Sequence, residues 1–349
     1  MNGPKTVSLD ASVRPLFVGV DVGGTGIKIG IVDDLGQILI QDRIATEQEK
    51  GPKNAMVRVA ALISDLQQRL GIESSDIARV GLATPGTMDT GRGMLLQPHN
   101  LPEWWNCPIR DMLVDACGKE VTFGNDANTA AFGEFWVGSG SEFHSVAFFT
   151  LGTGVGGGVI IGDMTIEGEH SAGSELGHAI IDYTDDARMC GCGQVGHLEA
   201  YASARAVVKR TEESLADGGK SSLTERIAQG EELSPLMLSQ EAEKGDELSY
   251  EIIMETAKYL GIGAVNVMHT IDPGAVIFGG AMTFGGANSR LGQQFLDRIR
   301  REIHARAFPA LIEQTVIEFA SLGGDAGFIG AAGIARNEYD KAEVQRSVD

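Results

Sequence analysis

Apolar residues fall into two kinds of run along this chain. Residues 16–46, LFVGVDVGGTGIKIGIVDDLGQILIQDRIAT, hold three β-branched runs parted by GGTG and DDLG, a pattern that predicts an antiparallel meander. From about 53 to 70 the period changes. Val57, Ala60, Ala61, Ile63, Leu66 and Leu70 recur at helical spacing, which predicts a helix. ARVGLATPGTMD (78–89) reads as a buried strand ending in a Pro-Gly turn, and VTFGND (121–126) as another, opening a helix through ANTAAFGEFWVG. SVAFFTLGTGVGGGVIIGDMTIEG (145–168) then repeats the opening pattern, with Gly152 in the place of Gly23. A repeat of that size predicts two related lobes. Helices are expected at about 198–217, 235–270, 287–305 and 325–336, with strands at DPGAVIFGGAM (272–282) and before the last helix. Strands alternating with helices make the chain α/β. Residues 1–15 read as a loose tail and 337–349 as a charged, solvated one.

Composition changes this picture in three respects. The chain's 349 residues suffice for two domains, and 47 of them are glycine, clustered in VGGTG, LGTGVGGG, CGCGQVG, FGG and SLGGDAG. Each cluster marks a sharp turn or a close backbone approach. The formal charge of -20 repels phosphate backbones and anionic lipid, which argues against nucleic acid and membrane partners. A small anionic ligand is still compatible, because glycine-loop amides and a divalent cation can hold it locally. Four cysteines are too few for a secreted disulfide framework, and the start carries no apolar signal region. A cytoplasmic protein is expected.

Two glycine turns carry candidate chemistry. GTGVGG (152–157) matches G-x-G-x-x-G, but that fingerprint needs a helix directly after it, whereas GGVIIGD continues as a strand. The turns instead read as hairpins whose bare amides suit a polyphosphate. Around the first, Asp21 can hold magnesium through water, Thr25 can donate to a phosphate oxygen, and Lys28 can sit nearby or close the hairpin. Asp126, between a strand and a helix, reads from its position alone as a helix cap. In CGCGQVGHLE (190–199), Cys190, Cys192 and His197 supply three metal donors, and His178 of GSELGH (173–178) a fourth. A zinc site, a metal-free loop and a redox pair are all readings of that segment, although C-x-C lacks the C-x-x-C redox spacing.

DVGGTGIK (21–28), ATPGTMD (83–89), NDAN (125–128), LGTGVGGG (151–158), GSELGH and the CGCG segment stand in one order. In that order and combination the chain resembles the ROK family of sugar kinases, over residues 16–336. The resemblance implies the two-lobed actin-like ATPase (ribonuclease H-like) fold, with a duplicated β-meander and an interlobe cleft. It divides the chain into a small lobe (16–124 with about 325–349) and a large lobe (125–324) bearing a zinc-loop insertion. Further implications are ATP-dependent phosphorylation of a hexose, glucose first, and a homodimer. Asp126 aligns with the catalytic base; Asn100, Asn125, Asp126, Glu175, His178 and Glu199 with sugar contacts. Carboxylates suit that role because each accepts from two neighbouring hydroxyls. Asp21, Gly23, Gly24, Thr25, Lys28, Gly152, Thr153, Gly154, Gly279 and Gly280 form the MgATP set, and His178, Cys190, Cys192 and His197 the structural zinc set. The chain departs from the family pattern at His197, where the family has a cysteine.

Fructose, mannose or N-acetylmannosamine as the substrate, polyphosphate as the donor, and a non-catalytic sugar sensor are the alternatives. The family's transcriptional repressors carry a DNA-binding domain before the first strand; with that strand expected at Leu16, a kinase is the reading.

Overall fold

The computed structural model describes residues 5–98 and 100–348. The first half carries strands β1 (Leu16–Val22), β2 (Gly26–Val32), β3 (Ile38–Ala45), β4 (Ile77–Thr84), β5 (Thr87–Asp89), β6 (Met94–Gln97) and β7 (Val121–Asn125), with helices α1 (Pro52–Leu70), α2 (Ile109–Cys117) and α3 (Asp126–Val137). The second carries β8 (Ser145–Leu151), β9 (Val155–Ile161), β10 (Met164–Thr165), β11 (Ala275–Gly279) and β12 (Val316–Phe319). Its helices are α4 (Glu199–Ala202), α5 (Ala204–Ala216), α6 (Leu223–Ala228), α7 (Pro235–Glu243), α8 (Glu247–Ile271), α9 (Arg290–Arg306), α10 (Pro309–Gln314) and α11 (Ala326–Val348).

The repeat seen in the sequence recurs in the topology. One five-stranded sheet has the order β3-β2-β1-β4-β7 and the other β10-β9-β8-β11-β12. In both, two strands added beyond the first strand of the meander run parallel, β1–β4–β7 and β8–β11–β12. Parallel neighbours need a crossover, and helices supply each one.

Helix ends differ from the expected spans for local reasons. Ser203 caps α5 through the Ala206 amide and separates it from α4. The helix expected over 235–270 breaks at Gly245, whose φ of 100° is left-handed, and Asp246 restarts it by accepting from the Ser249 amide. The expected C-terminal tail is instead the end of α11. Ion pairs one turn apart, Arg336–Asp340, Lys341–Glu338 and Arg346–Glu343, line its exposed side, and such pairs support isolated helix. Residues 1–4 of the expected N-terminal tail lie outside the described residues. From Lys5 on, the chain is tied to the edge of β3: Val7 N–H donates to Ile38 O at 2.9 Å and Ile38 N–H to Lys5 O at 2.8 Å. No helix among the described residues is long and apolar enough to cross a membrane.

The chain packs as two units, one running through Glu142 and adding Gly158–Ser174 and Ser321 onward, the other comprising Phe143–Gly157 and Glu175–Ala320. Residues 125–142, 158–174 and 321–324, expected in the large lobe, thus pack with the first unit. Glycine is the reason. A Cβ on Gly133 of α3 would lie 2.6 Å from the Ala326 carbonyl of α11, and one on Gly158 would lie 2.4 Å from Ala131 Cβ.

In the first unit, α1 and α2 cover one face of the sheet over Val18, Val20, Ile29, Val80 and Leu82. Helix α11 covers the other, with Phe328, Ile329 and Ala332 against Phe17 and Val32. In the second unit Phe149 and Phe278 stack at 5.2 Å across neighbouring strands. Leu260 and Ala264 of α8 and Ile299 and Ile303 of α9 are buried where those helices pack together.

Glu134 is fully buried on α3. Its carboxylate accepts from the amides of Ser139, Ser321 and Leu322 at 2.9, 3.1 and 2.8 Å, and from the Ser321 hydroxyl at 3.2 Å. It therefore holds the stretch before the chain first leaves the first unit and the one at which it finally re-enters. Glu134→Ala strands three amides and is expected to cost about 4 kcal/mol, read as a lower urea midpoint; Glu134→Gln, which keeps one acceptor, should cost about half of that.

Candidate functional site

The first glycine turn lies between β1 and β2. Gly23 N–H donates to Gly26 O at 2.9 Å, while Gly23 O accepts the Thr46 hydroxyl at 2.6 Å. Thr46 is fully buried at the end of β3, and its amide donates to Thr25 O at 3.2 Å. The turn is thus braced from beneath while the Thr25 side faces solvent. Asn100 lies beside it, since a Cβ on Gly24 would be 3.5 Å from that of Asn100.

Asp21 sits opposite Lys28 in the β1–β2 register. Gly327, in the first turn of α11, lies against the carboxylate so closely that a Cβ there would be 2.2 Å from Oδ2. Burial pushes the Asp21 carboxyl up to about 6, and the Lys28 charge only partly offsets it. Lys28 itself donates to Gly324 O at 2.7 Å and pairs with Asp325 at 2.9 Å.

At the β7–α3 junction Asn125 caps the helix, its Oδ1 accepting from the Ala127 and Asn128 amides at 2.9 and 3.2 Å. Asp126 Oδ1 also accepts from Ala127, at 2.8 Å. The carboxylate stands at the positive end of a twelve-residue helix, which complements its charge.

In the second unit the other glycine turn lies between β8 and β9, and the chain after its glycines is strand, as the hairpin reading requires. Gly152 N–H donates to Gly154 O at 3.0 Å, and Gly152 O accepts from the Ala204 amide at 2.9 Å. Gly279 pairs with Thr150 in the sheet register. Gly280, at φ 92°, leaves no room for a side chain, a Cβ there falling 2.3 Å from Leu151 O. Gly279 and Gly280 therefore lie at the end of β8, where the turn begins.

His178, Cys190, Cys192 and His197 converge, with one donor atom from each lying within 4.8 Å of all the others. His178 Nδ1 and His197 Nδ1 are 3.2 Å apart, Cys190 Sγ and His178 Nδ1 3.8 Å, and Cys192 Sγ and His197 Nδ1 3.3 Å. Tetrahedral zinc, with bonds of about 2.0–2.3 Å, needs donors roughly 3.3–3.8 Å apart, close to these three separations. Tight backbone closes the loop: Cys190 N–H donates to Gln194 O at 2.8 Å and Gly193 N–H to Cys190 O at 3.0 Å. Burial pushes the Cys190 thiol up to about 12, and a cation reverses that by taking the thiolate. Burial holds His197 below the usual imidazole range, hence neutral and able to ligate.

Glu175 lies beside this set, its Oε2 4.0 Å from His178 Nε2. Partial burial raises its carboxyl above the usual range, His178 opposing and Glu199 adding to the shift. Glu199 follows the loop and accepts the Val155 amide at 3.0 Å.

Thr46 and Ala204, which brace the turns, and Asp325, which holds Lys28, escaped the sequence reading. Asp325 lies in the SLGGDAG cluster that drew notice for its glycines; Thr46 and Ala204 carry no local signal. A cavity of about 530 Å³ in the first unit, lined by Arg79, Arg110, Glu167, Glu338 and Lys341, includes none of the predicted site residues. Its charges are paired nearby, Arg79 with Glu120, Arg110 with Asp111 and Lys341 with Glu338.

The model of the ROK family matches residues 17–338. A glucokinase of Thermotoga maritima is 30% identical over 320 residues, covering 92% of this chain and 97% of that protein. A xylose repressor of Caldicellulosiruptor bescii is 27% identical over 317 residues, 90% of this chain and 76% of its own length. Among solved structures, a ROK family glucokinase from Streptomyces griseus, in complex with glucose and AMPPNP, superposes with a TM-score of 0.73 at 31% identity, covering 92% of this chain and 99% of that one. The fold is the two-lobed actin-like ATPase fold, and with its duplicated sheets, paired glycine turns and family match over 17–338, the chain belongs to the ROK family.

Proposed function

We propose that this protein is an ATP-dependent hexose kinase whose substrate is glucose and whose product is glucose 6-phosphate. The observation that carries the proposal is the β7–α3 junction, where Asn125 caps the helix and the Asp126 carboxylate stands beside it at the positive helix end. Similarity to glucokinases, one of them in complex with glucose and AMPPNP, supports the substrate pair.

Phosphoryl transfer asks a protein for positioning and charge stabilisation more than for covalent chemistry. Asp126 accepts the proton of the attacking sugar hydroxyl. In the first unit Asn100 and the Asn125 amide group, and in the second Glu175, His178 and Glu199, are the candidate charge-assisted and neutral hydrogen-bond partners of sugar hydroxyls. The turns at Gly23–Thr25 and Gly152–Gly154, with Gly279 and Gly280, offer bare backbone to the ATP phosphates, and Asp21 holds magnesium through water. Lys28 acts on the scaffold, through Gly324 and Asp325. Water must be kept out, since ATP hydrolysis competes with transfer to sugar. His178, Cys190, Cys192 and His197 hold a structural zinc ion, which supplies no reaction step but fixes the loop flanked by Glu175 and Glu199. With two thiolates and two neutral imidazoles, this ligand set just balances the charge of the ion.

Asp126→Ala should lower kcat with glucose at least about 100-fold and leave glucose affinity by calorimetry within a few-fold; near-normal turnover refutes the assignment of the base. A panel of glucose, fructose, mannose and N-acetylmannosamine, each with ATP and with polyphosphate, tests substrate and donor, and no turnover with any pair favours the sensor reading.

Asp21 links stability to function. Its folded-state pKa lies above the usual aspartate value of 3.8, at about 6, so its contribution to stability is full below pH 3.8 and is lost as pH rises through about 6. Without nucleotide, Asp21→Asn should therefore raise the melting temperature at pH 8 and leave it unchanged near pH 3.5. Magnesium-dependent ATP binding should weaken in the parent protein as pH falls through about 6, and be lost in Asp21→Asn.

Metal analysis should find one zinc ion per chain, and its complete removal should weaken glucose binding. Zinc-free purified protein, or full affinity after removal, overturns the zinc assignment.

A further inference from the structure

The two glycine turns are braced differently. Around the first, the bracing comes from Thr46. Around the second, the stretch that directly follows the cysteine–histidine loop holds both sides: the Ala204 amide donates to Gly152 O at 2.9 Å, and Glu199 Oε2 accepts from the Val155 amide at 3.0 Å. Val155 is only 3% exposed, so its N–H would be an orphaned buried donor without that carboxylate. The other oxygen of Glu199 faces the loop, 3.5 Å from Cys190 Sγ, where a Cβ on Gly191 would come within 3.8 Å of it. Gly154 makes room for this carboxylate, since a Cβ at that position would lie 2.4 Å from Oε2. One side chain thus touches the candidate metal loop at one end and the candidate phosphate turn at the other.

We infer that Glu199 is a positioning residue for the nucleotide: it fastens the Gly152–Val155 turn to the cysteine–histidine loop, so that the order of the loop sets the affinity of the turn for ATP. This goes beyond the sugar contact proposed for Glu199, and its nucleotide arm rests on the proposed role of the turn. A side chain that holds the turn through one carboxylate oxygen also couples the two substrates, because a sugar hydroxyl donating to that oxygen competes with the Val155 amide or shares it.

The test combines hydrogen exchange at the Val155 amide with calorimetric titration of Mg-ATP in the absence of sugar. In Glu199→Ala, Val155 exchange should accelerate roughly tenfold or more, and the dissociation constant for Mg-ATP should rise roughly fivefold or more, in line with loss of one charge-assisted hydrogen bond. Glu199→Gln, whose side-chain oxygen still accepts from the amide, should keep both values near the parent. Gly154→Ala displaces the carboxylate without altering it and should reproduce the faster exchange. Zinc removal by chelation should do the same in the parent protein. Unchanged exchange and ATP affinity in Glu199→Ala, with glucose binding lost, would make Glu199 a sugar contact alone and overturn the inference. A parent protein that binds no Mg-ATP refutes the kinase reading instead, and the exchange data then still decide whether Glu199 holds the turn.

Discussion

Helix α11 can lie on the first sheet only because several residues beneath and within it lack a Cβ. A side chain on Gly19 would come within 1.8 Å of Phe328 O, on Gly81 within 1.7 Å of Ala331 O, and on Gly330 within 1.6 Å of Thr129 O. These are backbone-to-backbone contacts, which cannot relax by a rotamer change. Much of the candidate chemistry in the first unit hangs on this approach. The helix brings Gly327 against Asp21, and the segment leading into it brings Gly324 and Asp325 to Lys28. Glu134 completes the arrangement by seizing the start of the same segment from α3, the helix that begins with Asp126. Asp21, the first turn and the candidate base are thereby fixed to one packed layer.

Electrostatics runs against stability in that layer. Asp21 is held where burial disfavours its charge, and nearby Lys28 is already neutralised by Asp325. A carboxylate in such a place gains most from a cation. Strain of this kind is common where a protein must bind an ion it does not carry permanently. Glu134 is also a buried carboxylic side chain, but its hydrogen-bond donors are all in place, which makes it structural.

Much of this organisation was legible in the chain, because its signals are local. β-Branched runs around GGTG and LGTG specified both meanders, and the strand after GTGVGG distinguished a hairpin turn from a dinucleotide fingerprint. The spacing of Cys190, Cys192 and His197 marked a loop able to hold an ion. Helix ends were less legible. Gly245 and Ser203 read as interior residues until their backbone geometry placed them at breaks, and the charged C-terminal stretch hid the i,i+3 and i,i+4 pairs that keep it helical.

The amino-acid sequence by itself determined what depends on neighbours along the chain: the meanders, the turns, the duplicated order of elements and the composition of the cysteine–histidine loop. Tertiary structure alone decided what depends on distance across the chain. It paired Lys28 with Asp325, nearly 300 residues away, and it made Asn125 the cap of α3, with Asp126 sharing the Ala127 amide. It also joined Glu199 to Val155, a bond spanning 44 positions. Such partners leave no periodicity or motif, because a hydrogen bond is specified by where two backbones meet and not by the residues on either side of it.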